Sequence, residues 1–382
     1  MGKLISNPSE TNEDRFAGPR RLSWWDQNIL ERSNILVVGA GTLGNEVCKN
    51  LTLLGIGNIT VIDNDVVEIG NLSRSVLMRE EDVTTPPQYK SKVVAKRMKE
   101  LYSKINVTPI VADVVRQYGN CNYKKFNLVM MTVDNLEARI YINRYCHLWQ
   151  VPLIDGGLDG LLCNIQVIVP PKTACYECNL GDSDYKRLSQ KYSCSGLMKN
   201  APDRKIPMVI TSSAIAAGLM TQEAIKILHK IQPILSGKKA ILDGTTNEFS
   251  ILSIKRMENC SGHYELKPET LLTLNFSNKI TLKELKSLIR KEIDQDVLVY
   301  HDNAIIYFGK CNECGYSKNL FYQNININKI NLVCDKCGAQ MLPDISGQLK
   351  NDEATLENHG VPDNHLLTLY FEDGGCKYLI PK

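Results

Sequence analysis

Runs of apolar residues that do not alternate with polar ones mark the first part of the chain. Asn34 to Gly39 is such a run, and a strand buried on both faces of a parallel sheet reads this way. Helical spacing follows over Asn45 to Leu54, then a second strand over Gly57 to Asp63. Phe126 to Val133 reads as a further buried strand, and Glu137 to Trp149 and Thr211 to His229 as helices. After residue 263 the pattern changes. Thr270 to Phe276 reads as a strand, and Thr281 to Ile289 as an amphipathic helix with Thr281 at its N-cap. Asp296 to Gly309 offers two short strands about a polar turn at Asp302-Asn303, and His365 to Phe371 a closing strand. The predicted fold class is α/β: a Rossmann-like domain with a mostly parallel sheet, followed by an α+β domain.

The first strand runs straight into Gly39-Ala-Gly41-Thr-Leu-Gly44. Gly39 allows the tight turn, Gly41 lets backbone approach a phosphate, and Gly44 lets helix pack on strand. The helix N-terminus then offers free N–H groups to an anion. Asp63 ends the second strand 19 residues after Gly44, the position from which a carboxylate holds a ribose hydroxyl. This much specifies a nucleotide without separating NAD from ATP.

What comes next favours a nucleotide whose phosphates react. Asp65, Asn71, Arg74 and Lys92 follow the ribose acid, and Asp134-Asn135 stands after the Phe126 strand. Arg grips phosphate bidentately and Lys acts as a point charge, and both stabilise charge that builds on a departing pyrophosphate. Asp134, at the carboxyl end of a sheet strand, is a candidate Mg²⁺ ligand with the oxygen donor that ion prefers. Asp134-Asn135 also reads as a plain helix N-cap.

Composition narrows the class. At 382 residues the chain is too long for one compact core of typical size. The expected division is a disordered tail over 1–13, a Rossmann-like nucleotide domain over 14–263 and a second domain over 264–382. The net charge of +3 is interspersed, so no nucleic-acid partner is expected. No stretch reaches 18 apolar residues and Met1 to Glu13 lacks an apolar signal core, so a cytoplasmic protein without a membrane span is expected.

Six of the 13 cysteines sit in C-x-x-C pairs, which is metal usage in a reducing compartment. Cys311-x-x-Cys314 and Cys334-x-x-Cys337 are knuckles separated by 19 residues, the spacing of a Cys₄ zinc ribbon over about 310–340. The polar stretch between them holds little core and is expected to need the metal to fold. Cys175 and Cys178 form a third pair, read either as half of a zinc site or as partly buried thiols. Cys48, Cys146 and Cys163 read as core residues. Trp24 and Trp25 read as an apolar helix face packed on the sheet.

Taken together, the stretches Ile35 to Gly44, Gly55 to Asp63, Asn71 to Arg74, Thr132 to Asn135, Val151 to Asp155 and Cys175 to Cys178 resemble the ubiquitin-activating (E1-like) superfamily, which includes the ThiF and MoeB adenylyltransferases. The resemblance covers roughly residues 14 to 230 and points to a bacterial-type member of a ubiquitin-like conjugation system. It implies ATP and Mg²⁺ as cofactors and a ubiquitin-like protein with a C-terminal glycine as substrate. Asp63 matches the ribose acid, Asn71, Arg74 and Lys92 the phosphate-binding residues, and Asp134 the Mg²⁺-linked carboxylate. It also implies a zinc site in which Cys260 and His263 join Cys175 and Cys178, and a homodimer. The family's N-terminal arginine motif is incomplete here: Arg15 is present, its second Arg is absent, and Arg20 and Arg21 lie nearby.

In family members that pass their substrate onward, the crossover segment, here about 179–210, carries a nucleophilic cysteine, and Cys194 occupies that segment. A thiol suits the role, and Lys186, Arg187, Lys191 and Lys199 nearby would lower its pKa. An incidental loop cysteine is the alternative. The C-terminal pattern resembles the β-grasp domain with which some ubiquitin-activating enzymes recruit an E2-like carrier. The expected function is therefore adenylation, thioester formation on Cys194 and transfer to an E2. The alternative is a sulfur-carrier adenylyltransferase acting on a ThiS- or MoaD-like partner without a productive thioester. An inactive partner subunit and a Rossmann oxidoreductase are disfavoured by Arg74, Lys92 and Asp134.

Overall fold

A computed structural model of the chain describes residues 14–186, 207–232, 235–322 and 332–382. They form two compact units. Among the described residues, one unit holds 14–112, 124–179 and 207–263, and the other holds 113–123, 180–186 and 264–382.

The first unit is built on an eight-stranded sheet. Strands β1 (Asn34–Val38), β2 (Asn58–Ile62), β3 (Asn106–Ile110), β4 (Leu128–Met131) and β5 (Leu153–Asp159) are parallel, in the order β3-β2-β1-β4-β5. Strands β6 (Leu162–Ile168), β7 (Lys238–Asp243) and β8 (Glu248–Ser253) extend it antiparallel. The order reverses direction about β1, which lies between β2 and β4, and ligands of open α/β sheets bind at such a switch point. Ile35, Leu36, Val37 and Val38 are all buried, as the unbroken apolar run requires.

Among the described residues, six helices accompany the sheet: α1 (Ala17–Arg20), α2 (Gln27–Arg32), α3 (Thr42–Leu53), α4 (Lys90–Leu101), α5 (Leu136–Leu148) and α6 (Ile210–Leu228). Leu43, Val47 and Leu51 of α3 and Ala216, Ala217 and Met220 of α6 share a core with Val37, Met130 and Ile154 of the sheet. Cys48, Cys146 and Cys163 are buried. Trp24 and Trp25 depart from expectation. They sit in the turn before α2, not on a helix face, and their rings pack on His229, at centroid distances of 5.6 and 5.5 Å. His229 caps the C-terminus of α6, and its Nε2 accepts a bond from the Asp26 N–H at 3.1 Å. A polar anchor thus holds the aromatic pair at a helix end.

The second unit has β9 (Leu271–Leu274), α7 (Leu282–Ile293), β10 (Leu298–Cys311), β11 (Ser317–Tyr322), β12 (Met341–Gln348), β13 (Leu367–Tyr370) and β14 (Cys376–Pro381). The strands order as β11-β10-β13-β14-β9, with β12 also on β10, and β9 lies parallel to β14. Leu282, Leu285 and Ile289 of α7 pack on Leu274, Val299, Leu369 and Leu379. Thr281 and Glu284 form a reciprocal capping box at the start of α7.

The predicted turn at Asp302-Asn303 is absent: β10 runs through it. The strand absorbs those polar residues by shifting register between Tyr300 and Ile305 and by burying His301 and Asn303. The Asn303 side chain donates to the Arg116 carbonyl at 3.4 Å. Residues 113–123, which lie between β3 and β4 in sequence, therefore pack within this unit. The Cys121 N–H donates to the Asn364 carbonyl at 3.0 Å. Gly119 is required by proximity, because a Cβ there would stand 1.9 Å from the Asp363 carbonyl oxygen.

Candidate active site

The carboxyl ends of β1, β2 and β4 bring together the glycine loop, Asp63 and the Asp134 loop. The glycines do three separate jobs. Gly39 has φ +100°, and a Cβ on it would meet the Thr132 carbonyl at 2.8 Å. A Cβ on Gly44 would stand 1.9 Å from the Gly39 carbonyl oxygen. Gly41, which caps α3, has nothing within 4 Å of such a Cβ. Its openness is what close approach of a phosphate to backbone needs.

Asp63 is fixed by backbone donors. Its Oδ2 accepts from the Ala40 N–H at 2.6 Å and its Oδ1 from the Asp65 N–H at 2.7 Å. Burial still holds its carboxyl above the usual range, against those two bonds. Asp65 is exposed and paired with Lys90 Nζ at 2.8 Å. Lys90 was not singled out by sequence, yet it is the α4 lysine that pairs with Asp65, two residues beyond Asp63. Lys92 is exposed, with its ammonium 5.6 Å from the Tyr89 ring centre. Ser91 between them donates to the Asp63 carbonyl at 3.0 Å.

Asn71 is buried, and its side-chain oxygen accepts from the Glu68 N–H at 2.9 Å. Arg74 donates to the Gly70 carbonyl one turn earlier and remains partly exposed. Asp134 is exposed just beyond β4. Asn135 is an N-cap: its oxygen accepts from the Ala138 N–H at 2.8 Å, at the start of α5. The dipeptide thus divides its two readings, the cap falling to Asn135 and leaving the Asp134 carboxylate facing water.

Three positioning residues escaped the sequence reading. Asn45 donates to the Ala40 and Gly41 carbonyls at 2.7 and 3.0 Å and accepts from the Leu77 N–H at 3.0 Å. It ties the glycine loop to the chain just beyond Arg74. Arg139 pairs with buried Asp155 and donates to the carbonyls of Val133 and Gly156. It thereby pins the residue before Asp134. Burial pushes the Asp155 carboxyl up while Arg139 and Lys239 oppose it. Asp155 closes one of the stretches that carry the resemblance, which was the available signal.

Arg15 donates to the Leu101 carbonyl at 2.9 Å and lies over the Tyr102 ring, 4.3 Å from its centre. Arg20 pairs with Asp14, and Arg21 is exposed. Cys194 lies outside the described residues.

Among the described residues, two cysteine clusters assemble. Cys175, Cys178, Cys260 and His263 each offer a donor atom within 4.8 Å of the others. Cys175 Sγ lies 3.8 Å from Cys178 Sγ and 3.6 Å from Cys260 Sγ, and Cys178 Sγ lies 3.3 Å from His263 Nε2. Tetrahedral zinc, with Zn–S near 2.3 Å, puts sulfurs about 3.8 Å apart. Cys311, Cys314, Cys334 and Cys337 form the second cluster, with sulfur pairs at 3.5 Å. Each knuckle closes on a positive-φ glycine, Gly315 or Gly338. Both donor sets fit zinc in kind and spacing.

Among known proteins, the chain is 38% identical over 150 residues to SUMO-activating enzyme subunit 2 of Dictyostelium discoideum, covering 39% of this chain and 22% of that protein. It is 34% identical over 179 residues to the NEDD8-activating enzyme E1 catalytic subunit of Schizosaccharomyces pombe, covering 46% and 36%. The chain therefore spans only about a quarter to a third of the length of these curated relatives. Its fold is similar to that of MccB from E. coli solved with ATP, at TM-score 0.55 and 24% identity over 69% of this chain and 77% of that one. Residues 16–262 match the model of the ThiF family, and the chain accordingly belongs to the ThiF family, within the E1-like adenylyltransferase superfamily.

Proposed function

We propose that this protein activates the C-terminal glycine of a ubiquitin-like protein with ATP, captures it as a thioester on Cys194 and passes it to an E2-like carrier. The observation that carries the reading is the placement of the glycine loop, Asp63 and Asp134 at the carboxyl ends of three adjacent strands, β1, β2 and β4. In this reading Gly39, Gly41 and Gly44 cradle the phosphates and Asp63 holds the ribose. Arg74, with Lys92 or Lys90, bears on the phosphate chain, and Asp65 sets Lys90. Asn71 shapes the turn that presents Arg74.

A carboxylate oxygen of the partner's terminal glycine attacks the α-phosphorus. The bond to the bridging oxygen breaks, and pyrophosphate leaves with the electron pair. Arg74 and the lysines stabilise the charge that develops. Asp134 would hold Mg²⁺, which supplies further neutralisation of that charge. The Cys194 thiolate then attacks the acyl carbon and AMP departs. Arg15, or Arg20 or Arg21 in its place, would reach the nucleotide of a second copy in a homodimer. The clusters at Cys175 and at Cys311 would hold structural zinc.

Purified protein, ATP, Mg²⁺ and a diglycine-tailed ubiquitin-like protein should exchange labelled pyrophosphate into ATP. Cys194→Ala should keep that exchange and lose a thiol-sensitive adduct. Absence of exchange with any such partner would sink the reading. A second reading, an adenylyltransferase of a sulfur carrier without thioester, draws on the match of residues 16–262 to the ThiF family. It gains if adduct formation is the same in Cys194→Ala.

A further inference from the structure

The second unit holds a third group of ligand-type side chains, apart from both cysteine clusters. His301 and Asp302 lie on β10, and His365 lies just before β13. One donor atom from each lies within 4.8 Å of the other two. His365 Nε2 stands 2.6 Å from Asp302 Oδ1 and 3.4 Å from the Asn120 amide nitrogen. Both imidazoles are buried, while Asp302 faces water. An ion pair between Asp302 and His365 accounts for one contact and no more. It leaves His301 Nε2 buried with no hydrogen-bond partner, and such an atom is costly to leave unmatched.

We propose that His301, Asp302 and His365 bind a third zinc ion, with water completing the coordination on the exposed side of Asp302. Two imidazoles and one carboxylate are a borderline-soft donor set, and zinc takes this combination with one position open. The site lies where residues 113–123 join the unit. Asn120 also accepts from the Leu366 N–H at 2.8 Å, one residue beyond His365. The ion therefore fastens β10, the strand entrance at His365 and the Asn120 segment at one point.

The test compares full-length protein with His301→Gln, His365→Gln and Asp302→Asn, each dialysed against metal-free buffer after growth in zinc. Zinc per chain is counted by plasma mass spectrometry. Each His variant should carry one equivalent fewer than the parent, a difference that holds however many thiolate sites are filled. Asp302→Asn keeps both imidazoles and the side-chain shape, so it guards against misfolding of the His variants. Its weakest zinc should bind roughly tenfold or more less tightly in competition with a chromogenic chelator. Amide hydrogen exchange over 113–123 should be faster in Asp302→Asn than in the parent. Equal zinc counts in parent and His variants, or unchanged affinity and exchange in Asp302→Asn, would overturn the proposal.

Discussion

At the scale of single residues, the glycine loop separates fold from chemistry. Gly44→Ala drives a methyl into the Gly39 carbonyl, and overpacking of this kind costs about 1–3 kcal/mol or more. Urea unfolding should show that loss. Gly41→Ala meets open space, so its midpoint should stay near the parent's while nucleotide affinity falls. A result with the two reversed would mean that the phosphates do not approach Gly41. Asp134→Ala should abolish pyrophosphate exchange at unchanged melting temperature, because its carboxylate is exposed and its proposed role is electrostatic. Arg74→Ala should lower exchange by roughly 10²–10³, and Lys90→Ala set against Lys92→Ala will show which lysine bears on the phosphates.

At the scale of elements, much of the first unit was legible because buried parallel strands announce themselves as unbroken apolar runs, as β1 and β4 do. The glycine loop and Asp63 follow from the same pattern. Arg139 and Asn45 were not legible, since each acts on backbone carbonyls brought near only by the folded chain. The middle of β10 was misread because Asp302-Asn303 has turn chemistry, and contacts made only in the folded chain, Asn303 with the Arg116 carbonyl and Asp302 with His365, explain a polar strand there. The start of α7 was readable from Thr281 and offers a pH test. Bonds from the Thr281 N–H and hydroxyl hold the Glu284 carboxyl below its ordinary 4.5. A lowered acid contributes stability above its unfolded value, and that contribution is lost as pH falls through the folded value. Acid unfolding of the second unit should therefore lose part of its dependence in Glu284→Gln, followed by far-UV circular dichroism.

At the scale of the molecule, loss of the ribbon should spare the first unit. Cys311→Ser removes a ligand from the ribbon cluster, so the second unit should melt earlier while pyrophosphate exchange persists in the first. Loss of exchange in that variant would show that the ribbon supports adenylation. The interlaced division of the chain also bears on how it is made. Residues 113–123 leave the ribosome about 140 residues before Tyr264 opens the rest of their unit. At 5–20 residues per second that is roughly seven to thirty seconds, during which Tyr118, Cys121 and Tyr123, all sheltered in the finished protein, lack their later neighbours. Truncation at residue 263 would make that interval permanent, so a shortened gene product should bind chaperones or precipitate rather than behave as a free-standing catalytic half.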